Sequence, residues 1–434
     1  MTPASRGLVT ALAMALISSG CSMACRENAG DLRPAVAHWV DAPLWHAYAP
    51  VRGDFTFDAL SFSVPSDGWI AGKRFLLHVV DRALTVTFTD PTGAWIDSIA
   101  FAAPSEGWAS GFYQRPRLTP LPSDVDPMVR WFEGNSVATG TIWRYRHDRW
   151  EATDLSEFDW GEWTVGGVWA APGGDAWATA VIQTGERKRL SDPIVLESVL
   201  LRWDGQRWRV DDFNATGSRR RFFNDICFQP SGEAWFVGSD LTDPHVRRPV
   251  AVHRRDHTWQ PVALPELSNT HGALSEVVCL PGGRALAIGA SYAGASQPRQ
   301  PVLLRYDQEW HRIELPDGLE NAEIGAVAAL SSNDVWLAVS QHRAVGDHRV
   351  RFLHWFDGRW TEVDPPALPG GRTGWYFVKA MQFVSPDEGW AIADDVDGPG
   401  LVRGLIFHYR DGVWRNRNWN WHFWNEPGFG FCGS

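Results

Sequence analysis

A short aspartate turn recurs along the whole chain and constrains the fold more than any other feature. An aspartate opens each copy, and a large apolar residue, nearly always tryptophan, closes it two to four residues later. A unit repeated at this period predicts a propeller or a solenoid. The eight copies are Asp41 with Trp45, Asp81 with Leu84, Asp148 with Trp150, Asp204 with Trp208, Asp256 with Trp259, Asp307 with Trp310, Asp357 with Trp360, and Asp411 with Trp414.

A second apolar series runs out of phase with the first. Each member follows a turn-like stretch such as Pro65 to Gly68, and a short apolar run precedes that stretch. Short apolar runs bounded by turn residues are typical of buried strands. Each unit therefore predicts four strands, a to d, in which strand b carries this series and the aspartate turn joins c to d. The series is Trp69, Trp108, Trp177, Trp235, Leu286, Trp336 and Trp390.

The spacing between the two series locates the variable part of the unit. It is 24 residues in each of the last four complete units, but 15, 42 and 31 residues in the first three. The insertions thus lie in the loop between strands b and c, and such insertions commonly mark a functional face. We interpret the 13 tryptophans of the two series, out of 26, as packing between blades, and the aspartates as acceptors within their own turns.

Both ends of the chain carry incomplete units. Seven complete units lie between about residues 55 and 417. Ala37 to Asp41, followed by Trp45, matches a strand c and a strand d, whereas Trp419 to Phe431 alternates like an a and b hairpin. Joining them gives an eighth blade that closes the ring. We therefore predict an all-β, single β-propeller of four-stranded blades over residues 36–434, with eight blades favoured and seven as the alternative.

The N-terminus has the pattern of an export signal. Arg6 precedes an apolar run from Leu8 to Ile17, and small residues lead directly to Cys21. The run is too short to span a bilayer. It resembles a bacterial lipoprotein signal, which implies removal of residues 1–20, lipidation of Cys21, a tether over residues 21–35 and, because Ser22 follows, an outer-membrane destination. Ordinary secretion with cleavage nearby is the alternative.

Four cysteines remain beyond Cys21, an even number that permits disulfides in an exported protein. Cys227 and Cys279 fall on strands a of neighbouring blades but one residue out of register, so we expect them to face different ways and to be buried free thiols. Cys25 and Cys432 could pair if the termini meet. No Cys/His cluster has metal-ligand spacing and no Gly-rich phosphate loop occurs, so we predict neither metal nor cofactor.

The net charge and its distribution limit the class of partner that the protein can bind. The formal net charge is -11, and acidic and basic residues are mixed throughout the 434 residues. A nucleic-acid ligand would need a basic face, so we expect no nucleic-acid partner. The repeats leave no room for a second domain, and we expect a monomer.

Two local motifs resemble known propeller repeats. Asp204-Gly205-Gln206-Arg207-Trp208 resembles the Asp-box of bacterial neuraminidases, and Gly68-Trp69-Ile70-Ala71-Gly72 resembles repeats of propellers related to the photosystem II stability and assembly factor. The resemblance implies a β-propeller, a fold that serves enzymes and non-enzymes alike. A neuraminidase would also need three convergent arginines, a Tyr/Glu nucleophile pair and an acid. Tyr113 to Pro116 is the nearest local candidate.

The b-to-c and d-to-a loops of a propeller surround one mouth of its channel, and here they carry aromatic and charged residues. We predict a ligand-binding face there. The favoured function is a non-catalytic envelope lipoprotein that binds or assembles a protein or glycan; the alternative is a divergent glycoside hydrolase acting at the channel mouth. The candidate residues are Tyr113, Arg115, Trp131, Phe132, Arg187, Arg219, Arg220 and Arg221.

Overall fold

A computed structural model of the chain confirms the all-β propeller. It describes residues 36–37, 56–90, 93–117, 124–125, 136–171, 173–184, 196–211, 220–229, 231–243, 246–268, 270–293, 298–344, 347–368, 376–395 and 403–417. The signal segment, the tether and Cys21 lie outside these residues, as do Cys25 and Cys432.

Seven antiparallel sheets of four strands, a to d in chain order, make up the blades. A two-residue strand, β1 (Val36–Ala37), adds a fifth strand to the first. Blade 1 has β2 (Phe57–Val64), β3 (Asp67–Gly72), β4 (Phe75–Val80) and β5 (Ala83–Thr89); blade 2 has β6 (Trp95–Ala103), β7 (Glu106–Pro116), β8 (Ser136–Arg146) and β9 (Arg149–Ala152); blade 3 has β10 (Trp163–Ala170), β11 (Ala176–Gln183), β12 (Leu196–Trp203) and β13 (Trp208–Val210).

The other four blades follow the same order. Blade 4 has β14 (Arg221–Phe228), β15 (Ala234–Asp240), β16 (Arg248–Arg255) and β17 (Thr258–Val262); a 3-10 turn (Pro265–Leu267) leads to blade 5, with β18 (His271–Leu280), β19 (Arg284–Tyr292), β20 (Gln300–Asp307) and β21 (Glu309–Arg312). Blade 6 has β22 (Ala322–Ser331), β23 (Asp334–Ala344), β24 (Asp347–Phe356) and β25 (Arg359–Val363); blade 7 has β26 (Tyr376–Ser385), β27 (Glu388–Asp395), β28 (Arg403–Arg410) and β29 (Val413–Asn416).

The ring closes with seven blades, the alternative to the eight that were favoured. Each strand a contacts the strands a of both neighbouring blades, so these strands form the inner wall of the ring. Blade 7 meets blade 1 directly: the Gln382 side chain accepts from Phe62 N at 2.9 Å and donates to Phe62 O at 2.8 Å. The Phe62 ring also stacks on Trp390. These contacts leave no space between blades 7 and 1 for an eighth.

The N-terminal segment extends blade 1 instead of starting a separate blade. Val36 pairs with Thr85 and Ala37 with Leu84, at the outer edge of the sheet. Of the segment matched to a strand c, the structure describes Ala37 alone, and that residue pairs with β5. The terminal Asp41 turn and the hairpin from Trp419 to Phe431 lie outside the described residues.

The strand b series forms the packing between blades, as predicted. All six tryptophans and Leu286 are at most 2% exposed. Rings on strand a of the next blade cover several of them: Trp69 stacks on Phe101 with centroids 5.2 Å apart, and Trp336 on Phe383 at 4.7 Å. Burial of such large rings repeats the same hydrophobic stabilisation around the circle.

A polar partner on strand c covers the other side of these tryptophans, a repeat that the sequence patterns missed. His354 stacks on Trp336 at 4.0 Å, and its Nε2 lies 2.8 Å from Asp334 Oδ1. In other blades an arginine takes this place, as Arg202 does over Trp177. The strand c residues paired with the strand b series are His78, Arg144, Arg202, His253, Arg305, His354 and His408.

The aspartate turns are mostly two-residue hairpins with left-handed backbone at both positions. Asp81, for example, has φ 46° and Arg82 has φ 69°, between the paired residues Val80 and Ala83. Such turns fit the twist of a hairpin and favour Asp, Asn and Gly. Asp204 differs, because its Oδ1 accepts from Gln206 N and Arg207 N, both at 2.9 Å. The other left-handed pairs are His147-Asp148, Asp256-His257, Asp357-Gly358 and Asp411-Gly412.

A disulfide joins Cys227 to Cys279, so the expectation of free thiols is wrong. The Cα atoms are 5.4 Å apart. Cys227 pairs with Trp235, which packs toward blade 5, whereas Cys279 pairs with Ala285, which packs toward blade 4. The offset in register was inferred correctly. It places the two cysteines on opposite faces of their sheets, and opposite faces are the ones that meet when neighbouring blades stack.

Candidate functional site

The alternating strand directions give the ring two different faces. The a-to-b and c-to-d turns lie on one face, which we call the turn face. The b-to-c and d-to-a connections lie on the other, which we call the mouth face, and each strand a begins there. Residues near the start of the innermost strands therefore surround the channel mouth.

Every innermost strand carries a β-bulge near this mouth. The bulge falls within the first five residues of each strand a, at equivalent positions of all seven blades. Bulges re-aim side chains and are frequent beside binding sites. The bulged residues are Asp58, Asp97, Gly166, Asn224, Ser275, Gly325 and Lys379.

Three of the bulged residues form a charged cluster where blades 7, 1 and 2 meet. Lys379 Nζ forms ion pairs with Asp58 Oδ1 and, at 2.9 Å, with Asp394 Oδ2 on the neighbouring strand β27. The other oxygen of Asp394, Oδ1, is buried and has no hydrogen-bond partner among the described residues. A buried oxygen without a partner in a charged recess is a natural acceptor for a ligand or water. Asp97 completes the cluster from blade 2.

The cluster shifts the pKa values of its own members. Burial raises the pKa of Asp97 to about 7, and the nearby Asp58 adds to the rise, while Lys379 and Lys73 oppose it. Burial likewise raises the pKa of Asp394 to about 6, against the effect of Lys379. Burial by itself would lower the pKa of Lys379, but the two carboxylates Asp58 and Asp394 raise it above its usual value. Groups with pKa values shifted in this way concentrate at functional sites, although structural ion pairs also shift the pKa values of their members.

On the far side of the ring, carboxylates at the inner wall join blade to blade. Asp225 Oδ2 accepts from Val277 N of blade 5 at 2.8 Å, and its Oδ1 accepts from Trp169 Nε1 of blade 3 at 2.8 Å. Glu276 continues the series by accepting from Val327 N of blade 6 at 3.2 Å. Because their bonds hold neighbouring backbones, we assign Asp225 and Glu276 a structural role.

Two similar sets of a cation and two rings lie on the mouth face. In the first, Lys73 Nζ lies 4.8 Å from the Trp95 ring, and Trp95 faces Phe112 with centroids 5.4 Å apart. Lys73 O also accepts from Ile96 N of the next blade. We call this set the blade 1/2 station. It combines aromatic surface with a charge at the edge of the acidic cluster.

The second set, the blade 4/5 station, repeats the arrangement three blades further round. His271 and Tyr292 face each other with centroids 5.4 Å apart; they pair four residues before the bulge of β18, whereas Trp95 and Phe112 pair two residues before the bulge of β6. Arg247 is the cation of this set and, like Lys73, its carbonyl accepts from a backbone N–H of the next blade, here Gly272 N at 2.8 Å. The mouth thus carries two related aromatic and cationic surfaces on opposite sides.

Two of the sequence-predicted residues of blade 2, Tyr113 and Arg115, lie in a strand and not in a loop. The b-to-c loop of this blade begins only after Pro116, which pairs with Ser136 in an extended hairpin. Tyr113 packs against the core between blades 1 and 2, and Arg115 Nη2 donates to Gly161 O at 3.2 Å. Trp131, Phe132 and Arg187 lie outside the described residues.

Of the three consecutive arginines at the start of blade 4, Arg219 to Arg221, the structure describes two, and these differ in their surroundings. Arg219 lies outside the described residues, Arg220 is exposed, and Arg221 Nε donates to Asp240 Oδ2 at 3.0 Å. Arg221 borders a shallow groove of about 310 Å³ between β16, β17 and the following connection. Blade 3 separates Arg220 and Arg221 from Tyr113 and Arg115, so these four described residues do not form one site.

Sequence reasoning missed the bulge ring and the two stations. A signal was present, because a charged residue stands at the start of otherwise apolar strands: Asp58 in FDALSF, Asp97 in WIDSIAF and Lys379 in YFVKAMQF. A bulge leaves no pattern that alternation alone can reveal.

Within the described part of the chain, no group of three or more His, Cys, Asp or Glu side chains is arranged to hold a metal ion. No helix there is long and apolar enough to cross a membrane.

Comparison with known proteins concerns the fold alone. No family model matches the chain, and no curated protein sequence is significantly similar. Among solved structures, the chain is similar to the propeller domain of the Trilobed protease from Pyrococcus furiosus (7% identity, 87% of this chain and 98% of that one, TM-score 0.48). It is also similar to a protein of unknown function from Dyadobacter fermentans (13%, 72% and 93%, TM-score 0.45) and a Hadza microbial sialidase (12%, 81% and 73%, TM-score 0.41). These values support no inference about activity.

Proposed function

We propose that the protein is a non-catalytic binding propeller that holds a glycan at its channel mouth. The observation that carries the proposal is the pair of cation and aromatic stations beside a ring of polar bulge residues. Aromatic faces with a few convergent polar groups are the usual lining of ligand sites. We favour a glycan over a folded protein because a few aromatic rings beside charged side chains are typical of small-ligand sites and do not form a broad apolar interface.

A glycan array followed by titration calorimetry tests this function. We expect the protein to bind a defined set of saccharides, and Trp95→Ala and His271→Ala each to weaken that binding. Phe356→Ala is the matched control, since this aromatic side chain is 54% exposed at the opposite, turn face. The proposal fails if no saccharide binds, or if Phe356→Ala weakens binding as much as the two station variants do.

A glycoside hydrolase remains a second candidate because of Asp97. A carboxyl group with a pKa of about 7 beside the carboxylate Asp58 could serve as a general acid. A panel of chromogenic glycosides tests this activity, with Asp97→Asn as the inactivated variant. Turnover by the wild type that Asp97→Asn abolishes would establish the enzyme. Turnover that persists in Asp97→Asn would remove this acid from the mechanism.

We further propose that the propeller is an envelope lipoprotein, exported and held at the outer membrane through Cys21. The disulfide between Cys227 and Cys279 supports export, because disulfides persist in oxidising compartments. Metabolic labelling with a fatty acid, comparing wild type with Cys21→Ala, tests the anchor. Equal labelling of the two proteins would refute it.

A further inference from the structure

Arg247 is held in an unusual setting at the blade 4/5 station. Its Nε donates to the Oγ of Ser239, which is fully buried, at 2.9 Å. Its carbonyl is fixed by Gly272 N. The side chain is half-buried on the mouth face, with its guanidinium held on Ser239 near the end of β15 and within electrostatic reach of Tyr292.

No acidic side chain of the described residues forms an ion pair with Arg247, and its two Nη atoms make no hydrogen bond with them. A second cation, Arg299, influences Arg247 electrostatically, and Arg299 is itself paired with Glu323. Burial lowers the pKa of Arg247, Tyr292 opposes that shift and Arg299 adds to it. A half-buried guanidinium normally finds a carboxylate partner.

At the blade 1/2 station, by contrast, carboxylates accompany the cation. There Lys73 faces Asp97 and Asp394, which share its electrostatic environment. On the side of blades 4 and 5, the carboxylates Asp225 and Glu276 accept from backbone N–H groups of neighbouring blades, and Arg247 forms no ion pair with the described residues. A ligand that spans the mouth meets hydroxyl-accepting carboxylates at one side and a planar fork of donors at the other.

We propose that Arg247 binds an oxyanion group of the ligand, a carboxylate or a sulfate, through its free Nη atoms. This inference rests on the proposed function, and it makes the ligand an acidic saccharide. Tyr292 and His271 would contact the ring that bears the anionic group, and Ser239 would fix the guanidinium. Arg247 is then a binding residue whose partner arrives with the ligand.

The setting of Arg247 also predicts a stability effect that a structural arginine would not show. Keeping a guanidinium half-buried without a counter-charge is unfavourable, and functional residues are commonly retained at such a cost. We expect Arg247→Met, which keeps the length and removes the charge, to have an unfolding temperature equal to or above that of the wild type without ligand. A drop would show that Arg247 supports the fold.

Binding is measured by calorimetry at constant ionic strength with sodium sulfate, sodium glucuronate and neutral glucose as probes. We expect one or both anions to bind the wild type, and Arg247→Met to lose at least about tenfold in affinity. Arg247→Lys should recover only part, because an ammonium lacks the planar fork. Arg248→Met is the matched control: this neighbouring arginine is exposed and donates to Ser268 O.

The outcomes separate this inference from the proposed function. If sulfate binds in a way that depends on Arg247 but no saccharide binds, the anion site is supported and the glycan-binding function is rejected. Saccharide binding of equal strength in wild type and Arg247→Met keeps the function and overturns the anion site. Absence of binding by either anion also overturns it, as does equal loss in Arg247→Met and Arg248→Met. The ratio of glucuronate to sulfate affinity assigns the group as carboxylate or sulfate.

Discussion

The two faces of the ring are built from the same strands but follow different rules. On the turn face, five of the c-to-d turns use two left-handed residues, and the packing of the adjoining tryptophans repeats from blade to blade. On the mouth face the bulged residues vary in chemistry: the side chain is acidic at Asp58, basic at Lys379 and absent at Gly166. The repeated face stabilises the ring, and the varied face is where a ligand can be distinguished.

The largest expected effect lies in the repeated packing. Trp336 is 2% exposed and contacts His354, Phe383 and Tyr409. We expect Trp336→Ala to lower the free energy of unfolding by about 3–5 kcal/mol, measured by denaturant titration.

The control is Trp360→Ala, because this strand d tryptophan is only half-buried at the outer edge of its sheet. Its loss should cost about 1–2 kcal/mol. Equal costs at the two positions would contradict the division between inner packing and outer edge.

The disulfide should give the next effect, since it locks two neighbouring blades. It spans 52 residues of sequence. We expect Cys227→Ser with Cys279→Ser to lower the free energy of unfolding by about 2–4 kcal/mol, because the unfolded chain regains freedom. The reduced wild type should match the double variant in thermal unfolding. If reduction leaves the melting temperature unchanged, the bond does not stabilise the ring.

The repeated features could be predicted from sequence, and the varied ones could not. The spacing from Trp235 to Trp259 predicted blades because packing imposes the same large residue at equivalent places. The number of blades depended on pairing between distant segments: the strand at Val36 joins β5, and alternation alone cannot select a pairing partner. The prediction of free thiols at Cys227 and Cys279 failed for a similar reason. The register gives the face of the sheet on which each cysteine lies, but the stacking of the sheets decides which faces meet.

The acidic side of the mouth predicts a pH effect. The pKa of Asp97 is about 7 in the folded protein, above its usual value of 3.8. The folded state therefore binds this proton more tightly than the unfolded state, and stability from this group is lost as pH rises toward 7. Asp97→Asn escapes that loss, so we expect it to be more stable than wild type by about 1–3 kcal/mol above pH 7, and no more stable at pH 4.

Unfolding titrations of Asp97→Asn and wild type at pH 4, 6 and 8 measure the difference between their free energies of unfolding. The contributions of the other titrating groups cancel in this difference. Asp81→Asn serves as the control, because this aspartate lies in a turn on the opposite face. A difference between Asp97→Asn and wild type that does not change with pH would show that Asp97 is not desolvated at the mouth.

The smallest effect belongs to the aspartate turns and tests whether their carboxylates do anything beyond local geometry. Asp411 has φ 53° and lies beside Gly412 at φ 80°. Its nearest cation, Arg410, is 3.7 Å away and both side chains are exposed, so the ion pair contributes little. We expect Asp411→Gly to change stability by less than about 0.5 kcal/mol, whereas Asp411→Val, which resists left-handed backbone, should cost about 1–2 kcal/mol. Neither variant should alter binding at the mouth. A binding defect in Asp411→Gly would mean that the turn face also contacts the ligand, and the separation of stability from recognition between the two faces would then be wrong.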